Sequence, residues 1–85
     1  MSETIEFKEC YLHELTATEL KLFLAMKWYG WKSLYFEFPQ SVWKDEMKLY
    51  TNRNQFYKNR NSLVEKQYIE YLPGNRVPNE YRILK

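Results

Sequence analysis

Glycine occurs twice in this 85-residue chain and proline three times. That is too few for the Gly-rich turns that wrap nucleotide phosphates, so a P-loop or a dinucleotide fingerprint is excluded. A lone Cys10 closes no internal disulfide, which points to a reducing, cytoplasmic setting. The longest stretch free of charged side chains is residues 38–43, so neither a membrane span nor a signal-peptide core is expected. One cysteine and one histidine cannot fill a four-ligand zinc site, and the carboxylates show no metal-ligand spacing. Cys10 and His13 are three apart, but no orienting group or anion-binding turn accompanies them. We therefore expect no enzyme, no cofactor, no metal and no small-molecule substrate.

Acids are missing from one long region. Residues 51–64 contain none, while Arg53, Lys58 and Arg60 are basic and Asn52, Asn54, Gln55, Asn59 and Asn61 carry amides. Residues 1–46 hold eight acids against five lysines, a net of −3. Residues 47–85 hold eight bases, including every arginine, against three acids, a net of +5. The small overall charge of +2 thus hides a dipolar molecule.

What the chain has in quantity is apolar and aromatic surface, 45% and 19% of its residues. This excludes a disordered tail and suffices for one domain. Thr16 and Glu19 have the spacing of a capping box and predict a helix ending at Gly30. On it Leu20, Phe23 and Leu24 form one stripe with Trp28 at its edge, and Leu22, Met26 and Tyr29 form nearly the opposite one. Residues 34–38 alternate like a half-buried strand, with Leu34, Phe36 and Phe38 on one face. Pro39 then opens a second helix over residues 40–49, burying Val42, Trp43, Met47 and Tyr50. Asn52 and Gln55 cap a third helix running to about Lys66, with Phe56, Arg60, Leu63 and Val64 on its inner face. Residues 68–72 and 80–84 form a hairpin around a turn-rich loop. Residues 1–14 read as an extended N-terminal arm before a domain of residues 15–85, although Phe7, Cys10 and Tyr11 also have helical spacing.

The runs LTATELKLFL (15–24), NQFYKNRNSLVE (54–65), YIEY (68–71) and NEYRI (79–83), in this order of elements, resemble the α+β winged helix-turn-helix domains of phage and mobile-element replication initiators and related regulators. The resemblance covers about residues 12–84. It implies a three-helix domain with a short strand after the first helix, a two-stranded wing, and duplex DNA binding in replication or transcription control. Gln67 departs from the pattern, standing where such domains often place a glycine.

The residues support the same expectation independently. Asn and Gln pair with adenine edges and Arg or Lys with guanine, so the acid-free helix suits a major groove. Arg53, Asn54, Tyr57, Lys58 and Asn61 project away from its apolar stripe and are candidate DNA contacts. Arg60 points inward, its head either paired with Asp45 or Glu46 or reaching a phosphate. Arg76, in the wing loop, is either a minor-groove contact or a solvated turn residue. The rings of Phe23, Trp28, Phe36, Phe38, Trp43, Phe56 and Tyr81 read as core rather than base-stacking surface, with Tyr57 and Tyr71 as exceptions. A rival reading takes the stripe of Leu22, Met26 and Tyr29 as a protein-interaction surface, for a homodimer or another protein partner.

Overall fold

The computed structural model describes residues 8–30, 32–74 and 79–85. The expected contact Arg76 and the arm residues Ile5 and Phe7 lie outside them. Among the described residues the chain is α+β. It comprises α1 (Cys10–Glu14), α2 (Ala17–Tyr29), β1 (Phe36–Glu37), a π-helical turn (Ser41–Glu46), α3 (Arg53–Glu65), β2 (Ile69–Leu72) and β3 (Glu80–Ile83).

The extended arm is corrected over its last residues, which form α1. Helical geometry sends Tyr11 inward, where it meets Phe23 edge-on at 5.0 Å and Tyr68 at 5.8 Å. Leu15 then turns the chain in extended conformation into α2. The α2 start is the expected capping box: the Glu19 amide donates to the Thr16 hydroxyl at 3.2 Å, and the Thr16 amide donates to the Glu19 carboxylate at 2.9 Å. At its other end Gly30 lies against Phe36, where a Cβ would fall 2.3 Å from the ring. The close approach requires glycine.

The buried stripe of α2 is Glu19, Leu22, Phe23 and Met26, a spacing of three, four and seven. This differs from the stripe read in the sequence. Leu20 and Leu24 only pack against the core, and Trp28 is half exposed rather than buried.

Past α2, pairing is shorter than the alternating pattern predicts. Only Phe36 and Glu37 join the sheet, and Leu34 stays 68% exposed. The sheet is antiparallel in the order β1-β3-β2, with Phe36 opposite Tyr81 and Tyr71 opposite Tyr81 across the other edge. The antiparallel pairing of β2 with β3 is the expected hairpin.

The second helix is also corrected, to a π-helical turn of six residues. The Met47 amide reaches back to the Val42 carbonyl at 2.8 Å, five residues away. The adjacent Val42 and Trp43 both enter the core. There the Trp43 ring lies parallel to Phe56 at 4.5 Å. Lys48 then reverses the chain with φ 54, and Gln67 does so after α3 with φ 64. Each left-handed residue costs roughly 1–2 kcal/mol for a side chain with a Cβ. At Gln67 the turn is closed by the Tyr68 amide donating to the Leu63 carbonyl at 2.9 Å, so the position usual for glycine is met with glutamine.

Candidate nucleic-acid interface

The Asn52 side chain accepts from the Gln55 amide at 2.9 Å, while Gln55 turns back to the Thr51 amide and hydroxyl, both at 3.3 Å. From this cap α3 is held down on one side only. Phe56, Asn59 and Leu63 are buried, with Arg60 and Val64 half-buried beside them.

Three polar links fix the angle of α3 against α2. The Thr18 hydroxyl donates to the Asn59 carbonyl oxygen at 2.9 Å, and the Asn59 amide donates to the Gln55 carbonyl at 2.7 Å. Asn59 is therefore not part of the outward amide set that composition suggests; its side chain docks one helix on the other. Farther along, the Ser62 hydroxyl donates to Glu19, and the Lys66 ammonium meets the same carboxylate at 2.7 Å. Burial raises the Glu19 pKa, but Lys66, Ser62 and the Thr16 amide together outweigh it and bring it down to about 2. Outside these three, the Tyr50 hydroxyl, on the segment before α3, donates to the Thr18 carbonyl at 2.6 Å, and burial, then the Glu19 charge, push its ionisation upward.

On the outer side Arg53, Asn54, Tyr57, Lys58 and Asn61 are all exposed. Asn54, Tyr57, Lys58 and Asn61 follow each other at helical spacing, so the structure assembles these candidate contacts into one continuous ridge. Lys44 and Lys48 are exposed, with Asp45 between them in sequence, at a groove beside Tyr50 and Thr51, next to the start of α3. The two lysines add cations near the helix start that sequence reasoning missed, because the π turn and the positive φ of Lys48 decide where they point. By contrast, the outer face of the sheet is acidic, with Glu37 opposite Glu80 and Glu70 paired to Arg82 at 2.8 Å.

Arg60 makes no ion pair with Asp45 or Glu46. Its guanidinium lies 4.2 Å from the Tyr71 ring centre and 4.9 Å from that of Tyr57, and Nε and Nη2 donate to the Asn61 Oδ1 at 3.1 and 3.0 Å. Asn61 therefore offers only its amide hydrogens outward while this contact holds, which suits an acceptor on a base edge rather than the two-way pairing with adenine. The spacing of Tyr57 and Arg60 was the sequence signal for this contact.

Two residues of the second stripe of α2 are corrected: Leu22 and Met26 are fully buried within the chain's own core, whereas Tyr29 stays 41% exposed while its ring meets Phe36 and Phe38 edge-on at 6.4 and 5.5 Å. No group of three or more His, Cys, Asp and Glu side chains gathers among the described residues, and none of their helices is long and apolar enough to cross a membrane. No protein-family model, curated protein or solved structure matches the chain.

Proposed function

We propose that the chain is a double-stranded DNA-binding protein of winged helix-turn-helix type. In this reading α3 enters the major groove, the β2–β3 wing touches the flanking backbone, and the setting is the cytoplasmic replication or transcription control of a mobile element. The observation that carries it is the ridge of α3. Five cationic, amide and aromatic side chains stand exposed on a helix that carries no acid before its last residue, Glu65, so a polyanion meets little repulsion along it. The element order from α2 onward supports the same reading, with the π-helical turn standing in for the middle helix.

Phosphate neutralisation releases counterions, so affinity for a duplex falls steeply with salt, with a log-log slope of roughly −3 to −6 for this number of cations. Fluorescence anisotropy of labelled duplexes across a salt series measures it. Absence of binding to any duplex at low salt refutes the reading.

A further inference from the structure

Two cations of the α3 segment turn inward, and they end differently. Lys66 meets the Glu19 carboxylate. Arg60 meets aromatic rings, and no ion pair among the described residues includes it. A half-buried guanidinium without a carboxylate is costly unless something else satisfies it. Its faces are covered by Tyr71 and Tyr57, but Asn61 engages only Nε and Nη2. The Tyr81 hydroxyl stands beside it: burial raises that phenol's pKa, and a hydrogen bond from Arg60, then the Arg60 charge, oppose the rise.

Arg60 also lines a cleft of about 150 Å³ between α3, the segment after β1, and β3. Gln40 and Asn79 line the cleft, the Asn79 side-chain oxygen accepting from the Gly74 amide at 2.9 Å and leaving its amide hydrogens, and Glu37 is the one carboxylate. Tyr57 belongs both to this cleft and to the exposed ridge. The guanidinium N–H groups that Asn61 leaves free, pre-oriented by stacking and with the amide hydrogens of Gln40 and Asn79 at hand, are matched to a tetrahedral oxyanion taken through charge-assisted hydrogen bonds.

We propose that the Arg60 cleft is a phosphate-binding site. The inference rests on the duplex reading for one possible source of the phosphate, the DNA backbone passing along the ridge; a free phosphate or nucleotide is the other source. The chemistry at Arg60 is the same for both.

The test is NMR of the full chain, following the Arg60 Nε–H signal while adding inorganic phosphate, thymidine monophosphate or a DNA duplex in separate titrations. The expected result is a saturable shift of that signal. Arg60→Lys, which keeps the charge but loses the fork, is expected to weaken phosphate binding about tenfold. Glu37→Gln, an exposed change, removes a repelling charge and is expected to strengthen it about threefold. A response to duplex alone assigns the site to backbone phosphate, whereas a response to the small anions shows that the cleft binds phosphate by itself. If the small anions shift Arg60 but no duplex binds, the site stands and the DNA-binding reading falls. An Arg60 signal unmoved by all three ligands, or affinities unchanged in both variants, overturns the proposal.

Discussion

Helices α2 and α3 are each thirteen residues long, yet they do different work. Helix α2 buries Glu19, Leu22, Phe23 and Met26 and leans Leu20, Leu24 and Ala25 on the same core. Helix α3 buries Phe56, Asn59 and Leu63 and leaves a cationic and amide ridge in water. The pair shows that surface chemistry is best sought on what a helix declines to bury. Most of the apolar excess of α2 is structural, since the chain closes over Leu22, Phe23 and Met26 and leaves Trp28 and Tyr29 at the surface.

The largest effect that sharpens this contrast is expected at Phe23. It is fully buried and meets Tyr11 and Tyr68 edge-on at 5.0 and 5.1 Å. Phe23→Ala is expected to cost about 3–5 kcal/mol, a large share of the stability of a small domain, measured by denaturant unfolding.

Next in size is acid. The Glu19 carboxyl has its pKa lowered from 4.5 to about 2 in the folded chain. Its contribution is therefore complete above about pH 4.5 and is lost as the pH falls toward 2. The shift corresponds to roughly 3 kcal/mol. Unfolding free energies measured between pH 6 and pH 2 should fall by that order, and the Glu19→Gln variant should lose this part of the pH dependence. An unchanged profile in the variant would remove Glu19 as the buried link between the helices.

The smallest stability effects belong to the ridge. Lys58→Ala should change stability by no more than about 0.5 kcal/mol, and Asn61→Ala, which removes the acceptor of two Arg60 hydrogen bonds, by about 1 kcal/mol. In duplex binding the same changes separate. Asn61→Ala should cost about 1–3 kcal/mol and relax sequence preference, and Lys58→Ala should weaken all sequences and flatten the salt slope by about one. Ridge variants that unfold the chain, or that leave duplex affinity untouched, would break the comparison.

Much of the contrast was legible in the sequence because local rules govern it. The capping residues Thr16, Glu19 and Asn52, the extent of α3, the inward set Phe56, Leu63 and Val64, and the hairpin all follow from spacing and turn chemistry. The misreadings came where a polar residue was buried with a partner distant in sequence. Glu19 heads the core stripe of α2 only because Ser62 and Lys66 meet it, and Asn59 turns inward because Thr18 receives it. Once Glu19 was credited to the cap alone, Leu22 and Met26 looked like a spare face. The π turn was hidden for another reason: residues 40–49 have an acceptable α-helical pattern, and the five-residue reach of the Met47 amide to the Val42 carbonyl leaves no mark in spacing. The exposed ridge was placed residue by residue, whereas the aromatic clamp on Arg60 depends on the hairpin bringing Tyr71 across from β2.

Asn59 and Asn61 supply the most direct test, since they lie two residues apart on opposite sides of α3. Side-chain amide NMR signals of Asn54, Asn59 and Asn61, recorded as duplex DNA is added, distinguish the two sides within one sample. The account predicts that Asn54 and Asn61 shift with saturation while Asn59, held between Thr18 and the Gln55 carbonyl, stays in place. Shifts confined to the acidic face of the sheet, or no shift at Asn54 and Asn61 under conditions where duplex is bound, would contradict it.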